Sequence, residues 1–317
     1  MTWQPSASMA TLRRRAVMQQ TIRDFFAARE VLEVDTPILS AAAVADPMLE
    51  PMQTRVDRDG QARHCYLHTS PEYPMKRLLA AGSGAIWQLC RVFRNGEVGR
   101  RHNPEFSMLE WYRPGFDHHQ LMDEVEALTS GLLGHSSARR VRYADVFAEH
   151  FAGLDIHACA TSSLRALGEQ HTGFKGELAR DGWLDLLFSH CIEPTLQQPT
   201  FVYAYPASQA ALARITASDD SYPVAARFEF FVGGMELANG YHELIDAAEQ
   251  ASRFAEDARK VQLLGQPPRP LDQNLLAALE SGLPDCAGVA LGFDRLLMLA
   301  EGAEHIAEVL AFPFERA

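Results

Sequence analysis

Lysine is almost missing from this 317-residue chain: of its 29 basic residues only Lys76, Lys175 and Lys260 are lysines. Arginine supplies the remaining positive charge, so any phosphate site must be assembled from guanidinium forks. Positive charge is also outweighed. The 41 acidic residues leave a net charge of −12, which opposes binding of a long polyanion without a strong local basic patch. No run reaches the roughly 18 apolar residues of a bilayer span. The opening MTWQPSASMATLRRR lacks the apolar core of a secretory signal. The five cysteines (65, 90, 159, 191 and 286) are odd in number and include no C-x-x-C pair, which implies reduced thiols in a cytoplasm. A Walker loop, a G-x-G-x-x-G fingerprint, a helical H-E-x-x-H and a recognisable Ser or Cys nucleophile context are absent too.

Apolar residues at 47% and charged residues at 22% describe an ordinary globular protein with ample material for a core. The pattern predicts a helix over 9–30 with Ser8 as its cap, then the extended VLEVDTP. Residues 40–60 read as a loop or exposed hairpin, RHCYLHT as a strand, and PEYPMKRLLAAG as a short helix. AIWQLCRVF and EFSMLEWY read as two strands of a long hairpin. From 117 to 190 the pattern is helical. TFVYAYP, ARFEFFVGG and MELANG are strands, and residues 246–263 a helix. PDCAGVALGFDRLLMLA reads as strand, glycine turn and helix. Strands in runs, with helices between and around them, point to an α+β fold.

Three stretches carry chemistry. In EFSMLEWY, alternation puts Phe106, Met108, Glu110 and Tyr112 on one face. Burying Glu110 unpaired costs several kcal/mol. A ligand ammonium at Glu110 and Tyr112 offsets that cost and leaves Phe106 free to stack on a flat ring. In FEFFVGGMELANGYHEL the acidic residues Glu229, Glu236 and Glu243 stand seven apart, and the glycine pairs argue for two strands. Glu229 and Glu236 are then expected to meet across the pair with a cation between them. Mg²⁺ suits such hard oxygen ligands. In GVALGFDRLLML the Gly292 turn permits close backbone approach, and Arg295 lies in the first turn of an amphipathic helix, where amide dipoles favour an anion.

In this order, VLEVDTPIL, FRNGEVGRRHNPEFSMLE and GVALGFDR resemble the three signature motifs of class II aminoacyl-tRNA synthetases. TSPEYPMKRLL, RHNPEF and ELANGYHEL are similar to the lysyl subgroup. The resemblance spans nearly the whole chain. It implies a class II catalytic core over 1–317, a mostly antiparallel mixed sheet flanked by helices, and a homodimer. The helix of the first motif begins at residue 9. That leaves no room for an anticodon-binding OB domain, and no tRNA or membrane partner is expected. The chain in this respect resembles the truncated lysyl-synthetase paralogues of bacteria. These adenylate (R)-β-lysine, or lysine, with ATP and pass the acyl group to a lysine ε-amine of elongation factor P.

The resemblance implies roles for particular residues. Arg94 and Arg295 are the catalytic arginines. Asn95, Gly96, Glu97, Arg101, His102, Asn103 and Phe106 line the ATP site with them, together with Glu236, Leu237 and Gly292. Ser70, Pro71, Glu72, Glu110, Tyr112, Glu243 and Ala290 line the amino-acid pocket. Glu229 and Glu236 hold Mg²⁺. One departure stands out: the motif Phe-Arg-x-Glu reads Phe93-Arg94-Asn95-Gly96 here, and Glu97 one position later is expected to take over the contact. A minimal tRNA-charging enzyme, a non-catalytic regulatory paralogue and a small-amide ligase are the competing readings. The clusters Arg13-Arg14-Arg15 and Arg139-Arg140-x-Arg142 offer surfaces for an acidic partner.

Overall fold

The first helix shows how local chemistry sets an element boundary. Ser8 Oγ accepts from Thr11 N at 3.0 Å and opens α1 (Met9–Ala27). The helix stops short of residue 30 because Glu30 takes a left-handed φ of 56° and Val31 N turns back to Phe26 O. The computed structural model describes residues 3–217 and 222–317, without the side chain of Arg58.

After α1 come the short strands β1 (Leu32–Glu33) and β2 (Leu39–Ser40) and the hairpin β3 (Gln53–Arg58) and β4 (Gln61–Leu67). Then follow α2 (Glu72–Ala80), β5 (Ile86–Phe93) and β6 (Glu105–Pro114). The stretch expected to be helical holds α3 (His118–Leu133), α4 (Tyr143–His150), α5 (Thr161–Thr172) and α6 (Arg180–Leu187). It is interrupted by β7 (Arg139–Arg142). Next are β8 (Thr200–Pro206), β9 (Ile215–Ala217), β10 (Pro223–Phe231) and β11 (Glu236–His242). The chain ends with α7 (Ala247–Leu263), α8 (Gln273–Gly282), β12 (Cys286–Gly292) and α9 (Phe293–Glu301). β2, β7, β9 and α8 go beyond the sequence expectations. Asp272 opens α8 by accepting from Asn274 N and Leu275 N.

The chain forms two compact units, Met1–Phe116 with Leu244–Ala317, and Asp117–Glu243. In the first, β1 runs parallel to β5, and β5, β6 and β12 pair antiparallel. A separate small sheet has the order β2-β4-β3. In the second unit β11, β10 and β8 pair antiparallel, β9 adds to β10, and β7 runs parallel to β8. The mixture of helices with largely antiparallel strands is the α+β class the sequence implied.

Cross-strand pairing explains the core of the first unit. Trp87 lies opposite Trp111, and Phe26 of α1 stacks on Trp87 with ring centroids 5.0 Å apart. These rings fill one face of the β5–β6 pair. The second unit has its own aromatic core around Tyr143, Phe147, Trp183 and Phe188.

A buried polar tie also links α1, β6 and α9. Arg15 donates to Asp294 Oδ1 at 2.5 Å and to Ser107 Oγ at 2.6 Å, and Asp294 Oδ2 accepts from Ser107 N at 2.6 Å. The Arg15 guanidinium also sits 4.8 Å from the Phe293 ring. Asp294 is 1% exposed, so removing Arg15 strands a buried charge. Arg15→Ala is expected to lower stability by about 3 kcal/mol in urea unfolding, and the Arg15→Ala/Asp294→Ala double variant by less than the sum of the singles.

Candidate active site

The other face of the β5–β6 pair is polar, and β12 makes room on it. Gln88 lies opposite Glu110 and Cys90 opposite Met108. On the far side of β6, Gly288, Ala290 and Gly292 of β12 lie opposite Tyr112, Glu110 and Met108. The three positions that share the carboxylate's face therefore carry at most one side-chain carbon each, which leaves space beside it. Phe106, Glu110 and Tyr112 occupy one face, as alternation predicts.

Glu110 is 2% exposed. Its Oε1 accepts from Tyr112 Oη at 2.6 Å and its Oε2 from Ser70 Oγ at 2.8 Å. Ser70 Oγ in turn accepts from Glu72 N at 3.0 Å, so one hydroxyl starts α2 and reaches the buried carboxylate. Burial, reinforced by the neighbouring Glu72 charge, pushes Glu110 up to about 7 against the pull of its two hydroxyl donors. Glu72 is tied by Lys76 Nζ at 2.6 Å, one turn along α2. A cavity of about 380 Å³ in the same unit opens beside this helix start, with Ala42, Ser70, Glu72, Tyr73 and Asp272 in its wall.

The loop between β5 and β6 builds the second half of the site. The Arg94 guanidinium lies 5.2 Å from the Phe106 ring centroid, bringing the expected phosphate arginine and the expected base-stacking ring together. Asn95 is fixed by Glu50, through its backbone N to Glu50 O at 2.9 Å and its side chain to Oε1 at 2.7 Å. Gly96 has a φ of 77°, a left-handed conformation that costs a side-chain-bearing residue roughly 1 kcal/mol. A glutamate is therefore disfavoured at 96 in this loop. Glu97 Oε1 lies 3.5 Å from Arg94 Nη1, so the next carboxylate stands beside the arginine.

Arg295 reaches the same hairpin from α9. Its Nη2 donates to His102 Nε2 at 2.6 Å and its Nε points to Arg101 O at 3.5 Å. That bond needs a neutral imidazole. Burial and the Arg295 charge hold His102 below the usual histidine range. Asn103 is 7% exposed and acts as a strut: Nδ2 donates to Glu105 O at 2.6 Å and Oδ1 accepts from Phe314 N at 3.0 Å.

In the second unit Glu229 and Glu236 are not direct cross-strand partners. Glu229 lies opposite Asn239, and Glu236 lies opposite Phe231 at a register irregularity. The Glu229 carboxylate is already taken, accepting from Arg227 Nη2 at 2.5 Å and Tyr205 Oη at 2.7 Å. The two residues expected to hold Mg²⁺ are thus placed on neighbouring strands, with Glu229 paired to the half-buried Arg227. Among the described residues no cluster of three or more His, Cys, Asp or Glu is placed to hold a metal. Glu236 opens β11, Leu237 is buried within it, and Glu243 follows it at 1% exposure with its carbonyl accepting from Arg214 Nε.

The basic clusters also find internal uses. Arg139, Arg140 and Arg142 pair with Glu149, Asp123 and Asp145, and Arg15 with Asp294. Sequence reasoning missed Lys76, whose only outward signal is its rarity, and the small residue Gly288, which clears space beside β6. A raised carboxyl pKa makes folding weaker as pH climbs from the ordinary glutamate range to about 7, a penalty on the order of 3 kcal/mol once complete. Glu110→Gln keeps the shape and removes that charge. It is expected to raise the unfolding free energy at pH 8 and to change it little at pH 5, measured by urea unfolding at both values.

The tRNA synthetases class II (D, K and N) family model matches residues 1–316. The chain is 51% identical to elongation factor P–(R)-β-lysine ligase of Salmonella paratyphi B over 322 aligned positions, covering 100% of this chain and 98% of the relative. The same identity and coverage hold for the ligases of that name from Salmonella schwarzengrund and Salmonella choleraesuis. A match along essentially its whole length, on a fold with the hairpin and helix-borne arginine described here, places the chain in the class II tRNA synthetase family of the D, K and N type.

Proposed function

We propose that this chain is an ATP-dependent, AMP-forming ligase that activates (R)-β-lysine as an acyl-adenylate and passes it to a lysine ε-amine of elongation factor P. The observation that carries the reading is the buried Glu110 carboxylate, oriented by Tyr112 and Ser70 and faced by Ala290. It lies on the same strand face as Phe106 with its Arg94 partner. An ammonium site and an aromatic–guanidinium pair on one strand suit a cationic amino acid next to a nucleotide. The names of the relatives supply the acceptor.

In the first step a carboxylate oxygen of the amino acid attacks the α-phosphorus of ATP. The new P–O bond forms as the bond to pyrophosphate breaks. Arg94 and Arg295 offset the charge that develops, and Phe106 fixes the adenine. Catalysis is positioning and electrostatics, with no protein nucleophile. In the second step the acceptor amine, freed of its proton, attacks the acyl carbonyl and AMP departs with the bonding pair. An ordinary lysine amine has a pKa of about 10.4, so proton loss precedes attack.

For the amino acid, a carboxylate built to pair with an ammonium is left buried and uncompensated by a neutral substrate, which gives strong discrimination. We assign the chain to a cytoplasmic homodimer that acts without tRNA. The five free cysteines fit a reducing compartment, and the exposed Val17 and Leu32 beside the first motif fit a subunit contact.

Mixing the protein with ATP, (R)-β-lysine and elongation factor P, then weighing intact elongation factor P, is expected to show a gain of one β-lysyl group. No gain, or acylation of bulk tRNA at a matching rate, overturns the reading. Pyrophosphate exchange is expected to respond to lysine or β-lysine and not to leucine. Glu97→Ala should raise the KM for ATP several-fold at little cost in stability, because the pair with Arg94 is partly solvated.

A further inference from the structure

Lys76 is one of three lysines in the chain, and it is 2% exposed. Where arginine carries almost every positive charge, a lysine enclosed in the core reflects shape: a compact ammonium fits where a planar fork does not. An ammonium removed from water needs an ionised partner, and Glu72 Oε1 provides it at 2.6 Å. Ser70 joins this ion pair to Glu110, accepting from Glu72 N and donating to Glu110 Oε2. The pocket of the first unit thus contains two carboxylates that feel one another, and two such groups do not both ionise readily without a cation.

We propose that Lys76 is a specificity-determining residue, a built-in cation that cancels the charge of Glu72 so that Glu110 is the carboxylate left to answer a ligand ammonium. The proposal rests on the amine-pocket reading above and deepens it, since Lys76 then keeps Glu110 ionised for one of the substrate's ammonium groups. The groups facing Glu110 are Glu72 and Lys76 from α2, Gln88 and Cys90 from β5, Tyr112 from β6, and Gly288 and Ala290 from β12. Burial pushes the Cys90 thiol up to about 12, so it stays neutral. Lys76 is the cation of this set. Without it the Glu72 charge acts on Glu110 unopposed, and Glu110 takes a proton where it should take the ligand.

Two measurements over about pH 6 to about pH 9 test this, spanning the neutral range in which a raised carboxyl titrates. The carboxyl infrared band of ligand-free protein, differenced against Glu110→Gln, follows Glu110 directly. Amino-acid-dependent pyrophosphate exchange gives the profile of kcat/KM. Lys76→Met preserves the aliphatic stem, and thermal melting establishes that it folds. In Lys76→Met the infrared midpoint is expected to move up. The kcat/KM for lysine or β-lysine should fall about fivefold at pH 7, the consequence of one pKa unit on a group half ionised there, and recover at high pH. The KM for ATP should hold. Adding Glu72→Gln should return the midpoint toward the wild-type value, which a merely structural role for Lys76 does not predict. An unmoved midpoint in Lys76→Met, or a loss of exchange equal at every pH, overturns the proposal. A midpoint that moves in a protein showing no amino-acid-dependent exchange leaves the charge relation standing and sinks the amine-pocket reading.

Discussion

A carboxylate held out of water in the middle of a strand is the constraint around which the candidate site is organised. Glu110 accepts from Tyr112 and Ser70, but two hydroxyls only partly replace its lost hydration, and its proton affinity rises accordingly. The surrounding features follow from that deficit. β12 places glycine and alanine opposite the polar face, so a ligand can approach. Ser70 connects the start of α2 to the carboxylate, and Lys76 balances the second acid on that helix. A site that is unfavourable when empty and completed by an ammonium is a site that selects for one.

The proposed nucleotide side depends on a different constraint. An acidic chain with few lysines must direct its arginines individually. Arg94 stands against Phe106, and Arg295 against a neutral His102. Arg15 enters no ligand site. It holds Asp294, the immediate neighbour of Arg295, against the strand that carries Phe106 and Glu110. In the cluster at 139–142 each arginine likewise has a carboxylate partner within the chain. Arg227 follows the same rule: half-buried among Tyr205, Tyr241 and Glu229, it donates to the Glu229 carboxylate.

Gly96 ceases to be an anomaly once its backbone is known. A left-handed residue in a tight loop favours glycine, and the same turn brings Glu97 beside Arg94. Position 96 serves the turn, and position 97 carries the carboxylate that faces the arginine.

Much of the fold was legible in the order of residues. Alternation in EFSMLEWY placed Phe106, Glu110 and Tyr112 on one face, because a strand's side-chain period is two whatever surrounds it. Ser8 and the glycine that closes β12 marked helix boundaries by purely local chemistry, and the linked motifs identified the family. Contacts between segments far apart in sequence were not legible. The sequence showed two glutamates on adjacent strands, but the register that sets Glu229 opposite Asn239 and the arginine that pairs with it belong to the assembled sheet. Arg15 and Asp294, 279 positions apart, read as a charged run and a motif neighbour until the fold joined them. The sequence by itself determined which faces were polar, where elements began and which chemistry was present. Tertiary structure alone decided which charges meet and which are stripped of water, because burial and pairing are properties of packing.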